Sequence, residues 1–141
     1  MGTLILRSDI FYQSAKLESP LILAHPSSDG YKNQCAIRLG KALQDSGVDM
    51  SDYTAPVTTE GYPRGAQSLA NWLYDNFGNP QIVNNRDEFL KIDYNKTGIF
   101  FQKALGPGRA NHIDVWNGNL RKPRAGSGLY ISGEIWFWEI K

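Results

Sequence analysis

The sequence holds a single cysteine, Cys35, among 141 residues, so no internal disulfide can form. Its histidines are only two, His25 and His112, far apart and without a cysteine cluster beside them. That leaves no metal-ligand spacing, and neither a metal nor another cofactor is expected. No apolar run approaches the roughly 18 residues that a membrane helix needs. Charge of one sign is missing too: 15 basic and 14 acidic residues leave a net +1. The charges are dispersed, so neither nucleic acid nor a membrane surface is expected as a partner. The first residues, Met1-Gly2-Thr3-Leu4-Ile5-Leu6, lack the basic region and the long apolar core of a secretory signal. Leu6 stands where a myristoylation motif needs Ser or Thr. The expectation is a chain made in the cytoplasm and carried elsewhere, if at all, by something other than a signal peptide.

What is present reads as one domain, 1–141. A hydrophobic share of 41% is enough for one core. After the turn-rich stretch Ala24 to Gly30, a helix is expected from about Asn33 or Gln34 to Ser46. Ala36, Leu39 and Leu43 recur at helical spacing there, and Gly47 follows. A second helix is expected to begin near Pro63, with Ala66, Leu69, Leu73 and Phe77 as its stripe and Gly78 after it. Arg86 to Leu90 can form a short third helix. The last third changes period. Gly98 to Gln102, His112 to Trp116 and part of Leu129 to Ile140 read as strands, with Ala104 to Arg109 as a turn. Helices first and strands after predict an α+β fold, N-terminal helices packed on a C-terminal antiparallel sheet.

Cys35 falls at the start of the first expected helix. Free N–H groups and the helix dipole favour thiolate there, which lowers the thiol pKa and produces a nucleophile. The same N–H groups can hold an oxyanion. His112, 77 positions on, can take the thiol proton and return it to a leaving amine. A Cys and a His so far apart, on a helix and a following sheet, match the layout of papain-type nucleophilic catalysis. A polar group should orient the imidazole. Asp114 shares a strand face with His112, Asn117 closes the strand, and Glu134 lies on the next one; all three are candidates. Tyr31, Asn33 and Arg38 flank the cysteine and can line a cleft, pair locally or cap the helix. His25, beside Pro26 in a polar loop, reads as incidental.

Three strings carry a more specific signal. Asn33-Gln34-Cys35-Ala36-Ile37-Arg38-Leu39-Gly40 resembles the nucleophile helix of the fourth family of type VI secretion amidase effectors. Gly98-Ile99-Phe100-Phe101 followed by His112-Ile113-Asp114-Val115-Trp116 resembles that family's base strand, and Glu134-Ile135-Trp136-Phe137-Trp138 its closing strand. The resemblance implies a papain-like (NlpC-type) cysteine peptidase fold. It also implies a toxin injected into a rival bacterium, acting in the periplasm on the peptide stem of peptidoglycan. The bond cut would be that between D-glutamate and meso-diaminopimelate, and an immunity protein would be the partner. By position it carries Cys35 over as nucleophile and His112 as base. Members use an aspartate after the histidine, and Asp114 is the only one here; if the family's aspartate comes from the later loop, that position is missing and a polar neighbour or water must orient His112. Members often carry a cysteine pair near the C-terminus that this chain lacks, so the 117–133 stretch is expected to be held some other way or to be mobile.

Two other readings remain. A non-catalytic peptidoglycan- or glycan-binding module would use Trp136 and Trp138, although packing against helices accounts for both. A nuclease built on His112 and Asp114 would need a basic surface that the charge balance does not provide. Gly106-Pro107-Gly108-Arg109 lacks the lysine and the following helix of a phosphate loop and reads as a turn.

Overall fold

The computed structural model describes residues 2–4, 35–92, 95–105, 110–118, 122–123 and 129–140. His25, Tyr31, Asn33, the 24–30 stretch and the turn at 106–109 lie outside the described residues. The elements run β1 (Gly2–Leu4), α1 (Cys35–Asp45), α2 (Ala66–Phe77), β2 (Gln81–Asn85) and α3 (Arg86–Ile92). Then come β3 (Gly98–Gln102), β4 (His112–Asn117), β5 (Lys122–Pro123) and β6 (Ser132–Ile140).

Helix α1 buries Ala36, Ile37, Leu39, Gly40, Ala42 and Leu43, the face that the three-and-four spacing marks. It ends where Gly47 adopts φ 93°, and Val48 N–H closes back on the Leu43 carbonyl at 3.0 Å. Helix α2 begins at Ala66, three residues later than Pro63 indicates. The reason is tertiary: Pro63 bridges to Val57 in extended conformation, and its ring lies on the bare Cα of Gly40. Gly65 (φ −115°, ψ 134°) caps α2 without a side-chain bond, and Gly78 ends it at φ 91°.

The sheet runs in the order β1-β6-β3-β4-β5. Strand β6 is its long member. One edge pairs antiparallel with β3, from Gly98↔Glu139 to Gln102↔Ile135. Its other edge is shared by β2, antiparallel from Gln81↔Phe137, and β1, parallel from Gly2↔Trp138. Both of the latter strands are additions to the sequence reading, because three- and five-residue segments carry too little alternation to stand out. β3 pairs antiparallel with β4, Gln102 opposite His112 and Phe100 opposite Asp114.

Strand alternation sorts the side chains into two cores. Ile99, Phe101, Ile113, Val115, Trp138 and Ile140 meet α1 and α2 on one face. Phe100, Trp116, Ile135 and Phe137 meet Val83 of β2 and Phe89 of α3 on the other. The sheet is thus covered on both sides, which explains why every residue of β3 is buried. Each fully buried Phe on β3 contributes about 1.5–3 kcal/mol over exposure. Trp136 and Trp138 belong to this packing: Trp138 is fully buried and Trp136 stands edge-on to Tyr74, 5.6 Å away. No described helix is long and apolar enough to cross a membrane.

Gly98 is where β3 comes closest to β6. A Cβ there would strike the Trp138 carbonyl oxygen and stand 2.8 Å from the Phe137 ring and 2.9 Å from the Glu139 Cα. The close neighbours include backbone, which cannot swing aside. Gly98→Ala is therefore expected to lower stability by about 1–3 kcal/mol, read from the urea midpoint at unchanged m-value.

Candidate active site

Cys35 is the first residue of α1, and the packing of α1 on β4 decides what its sulfur meets. Ala36 and Leu39 of the helix share a buried cluster with Ile113 and Val115 of the strand. That contact sets the half-buried thiol against the β4 backbone. The backbone N–H groups of Ile113, Ala36 and Cys35 itself all favour the thiolate, and the Asp114 carboxylate beside it opposes it. The sulfur therefore lies against the β4 backbone at Ile113, within electrostatic range of the Asp114 carboxylate.

The donors are the ones a helix start should supply, but the net effect is the reverse of the sequence expectation. Burial removes more solvation than the N–H groups return, and the thiol is pushed above its ordinary value of 9.0. The expected lowering of the Cys35 pKa is thus corrected: in the resting protein desolvation outweighs the helix terminus.

His112 opens β4, on the face opposite Ile113 and Val115. The Phe100 ring lies 5.5 Å from the imidazole, and the side chain is 20% exposed. Burial holds the imidazole below its usual 6.5, so it is neutral at neutral pH. Its Nε2 is buried without a hydrogen-bond partner. The nearest acid is Asp114, whose Oδ2 stands 3.9 Å from Nε2, too long for a hydrogen bond and within ion-pair range. The other carboxylate oxygen accepts the Val115 N–H at 2.7 Å, which fixes the group on the strand.

The three candidates for orienting His112 separate on geometry. Asp114 lies beside the ring. Asn117 falls on the opposite face of β4 by alternation and about 16 Å along the strand. Glu134 is committed elsewhere: it accepts the Trp136 indole N–H at 2.6 Å and pairs with Lys103 at 3.5 Å. Arg38, one turn along α1, is half-buried and already partnered. Among the described residues no group of three or more His, Cys, Asp and Glu could hold a metal ion. A separate groove of about 550 Å³, lined by Asp52, Tyr53, Asn71 and Asp75, does not include Cys35 or His112.

Two residues that the sequence reading does not single out surround this end of the sheet. Gln102, opposite His112 on β3, is fully buried, and its side chain bonds the backbone of Tyr130 and Gly133. The Tyr130 hydroxyl donates to the Ala110 carbonyl at 2.8 Å. The available signal was a glutamine closing an otherwise apolar strand, since a buried amide must find partners.

Comparison with known proteins follows the same outline. The family profile for type VI secretion system amidase effector protein 4 (Tae4) matches residues 31–138. Among solved structures, the chain superposes on the effector Tae4 from Salmonella typhimurium in complex with the immunity Tai4 from Enterobacter cloacae. That match has a TM-score of 0.73 and 17% identity over 100% of both chains. The type VI effector Tae4 from Enterobacter cloacae matches with a TM-score of 0.72 and 19% identity, again over 100% of both chains. The effector-immunity complex Tae4-Tai4 from Enterobacter cloacae gives 0.63 and 21% identity over 93% of this chain and 89% of that one. No curated protein matches the sequence. With a papain-like α+β fold and a family match spanning most of its length, the chain belongs to the type VI secretion system amidase effector protein 4 family.

Proposed function

We propose that this family member is a cysteine amidase that cuts the peptidoglycan stem between D-glutamate and meso-diaminopimelate. Cys35 is the nucleophile, His112 the base and Asp114 the group that orients the imidazole. The observation that carries the reading is the seat of the Cys35 sulfur, at the first residue of α1 and against the β4 backbone at Ile113, the residue that follows His112.

The protonation states make the resting pair neutral: a thiol and an unprotonated imidazole. Attack and proton transfer then occur together. With Nε2 turned toward Asp114, Nδ1 is the nitrogen left to take the thiol proton. The sulfur adds to the amide carbon, and the oxyanion is held by N–H groups of the first turn of α1. The imidazolium, steadied by the Asp114 carboxylate, protonates the departing amine. Water, activated by the neutral imidazole, hydrolyses the thioester and restores the thiol. No step calls for a cofactor. The setting is the periplasm of a recipient bacterium, and an immunity protein protects the producer. Support for that partner comes from the solved relatives, which carry Tai4 bound to Tae4.

The reading is tested by digesting diaminopimelate-type peptidoglycan and identifying fragments by mass spectrometry. Wild type is expected to split the stem after D-glutamate, and Cys35→Ala to leave it intact. Cleavage by Cys35→Ala, or at another bond only, sinks the corresponding part of the proposal. Asp114→Asn is expected to lower kcat by on the order of 10²–10⁴ by leaving the imidazole in the wrong tautomer.

The two perturbed groups also predict how stability varies with pH. An unfolded chain protonates His112 near 6.5, and the folded chain refuses that proton until lower pH. Stability is therefore complete above 6.5, falls as pH drops through it and levels off below the folded pKa. At the alkaline end, the unfolded chain releases the Cys35 proton near 9.0 while the folded chain keeps it, so stability falls as pH rises past that point. Urea midpoints across pH should show both declines. His112→Gln should flatten the acid one and Cys35→Ala the alkaline one.

A further inference from the structure

The chain lacks the disulfide that the resemblance associates with its C-terminal region, yet residues 129–131, just before β6, are held against the His112 end of the sheet. The means is the buried amide of Gln102. Its Oε1 accepts the Tyr130 N–H at 2.8 Å, and its Nε2 donates to the Tyr130 carbonyl at 2.9 Å and to the Gly133 carbonyl at 3.2 Å. Both polar atoms of a side chain with no solvent exposure are thereby satisfied, across 28 and 31 positions of sequence. Such an arrangement has one geometry, because an amide shifted out of it leaves several buried groups unbonded.

Tyr130 then reaches further. Its hydroxyl donates to the carbonyl of Ala110 at 2.8 Å. One residue on, the Asn111 side-chain oxygen accepts the Ala104 N–H at 2.9 Å. The next residue is His112. Two bonds from outside the strand therefore fix the two residues that lead into it, while Phe100 closes the imidazole from its own face of the sheet.

We propose that Tyr130 is a positioning residue for His112: locked by the Gln102 amide, its hydroxyl holds the Ala110 carbonyl and so sets where β4 begins. The inference rests on the reading of His112 as the base. The hydroxyl does not touch substrate; it fixes the backbone that leads into His112, and so keeps the imidazole seated against Phe100 and largely out of water. Without it, Ala110 loses its tie and only the Asn111–Ala104 bond still holds the lead-in to β4, and a displacement of the order of 1 Å at a reacting group costs up to about a hundredfold in rate.

The experiment compares wild type, Tyr130→Phe and His112→Ala on a soluble tetrapeptide-stem muropeptide of the diaminopimelate type. Turnover, KM, the pH profile of kcat/KM and Tm are measured for each. Tyr130→Phe keeps the ring and removes only the hydroxyl. It is expected to lose about ten- to a hundredfold in kcat with KM within about twofold. Its Tm should stay within about 2 °C. Its acid limb should move to higher pH, toward the 6.5 of a hydrated imidazole, as water reaches the ring. A loss of kcat together with that movement supports the proposal. A kcat within about twofold of wild type overturns it, since misplacement must cost rate. An unmoved acid limb also overturns it, whatever happens to kcat, because a merely structural bond would change the amount of folded protein and not the titration. Failure of the base reading shows separately: His112→Ala would then retain wild-type turnover, and the proposal would fall with it.

Discussion

The docking of α1 on β4 is the contact from which the rest of the site follows. Ala36 and Leu39 on the helix, and Ile113 and Val115 on the strand, are buried in one cluster. None of the four has a reactive side chain. Because they are close-packed, the helix cannot slide on the strand without opening a cavity, which costs several kcal/mol when a large apolar side chain is involved. Their burial therefore fixes the first residue of α1 against the strand, and Cys35 is that residue. The same strand alternation that points Ile113 and Val115 at the helix sends His112 and Asp114 to the other face. The sulfur touches the backbone that joins them.

That placement carries an electrostatic cost that shapes the chemistry. A thiol brought against a packed strand loses water, and a helix terminus does not fully offset the loss. An imidazole set beside Phe100 loses water as well. Desolvation raises the pKa of the acid and lowers that of the base. Both shifts favour the neutral forms, so at neutral pH the thiol keeps its proton and the imidazole carries no charge. The His112 Nε2 has no hydrogen-bond partner, and the Asp114 oxygen 3.9 Å away stands about an ångström beyond hydrogen-bond distance.

Several parts of this arrangement were legible from residue order. The α1 stripe, the fully buried β3 and the His112 strand appear where periodicity puts them, within a residue or two. The start of α2 was not, because Pro63 is drawn into extended pairing with Val57 and packed on Gly40, a contact between segments that no local rule contains. β1 and β2 escaped because short strands are specified by the edge of β6 that they cover, not by their own pattern. Asn117 and Glu134 stood behind Asp114 as candidates by residue order, and only the fold shows Glu134 engaged by Trp136 and Lys103 and Asn117 on the opposite strand face.

The sequence by itself determined the chemical inventory: one cysteine, a following histidine and aspartate two apart, no second thiol, and apolar periods that could only form helices packed on strands. Those are local properties, written in spacing and residue type. The tertiary structure alone decided which acid stands by the imidazole, that the thiol is raised and not lowered, and that the buried amide of Gln102 ties Tyr130 and Gly133 to the end of β3. Each of these depends on burial and on pairs of atoms from segments far apart in the chain. Solvent exclusion and long-range contact do not exist until the chain has folded.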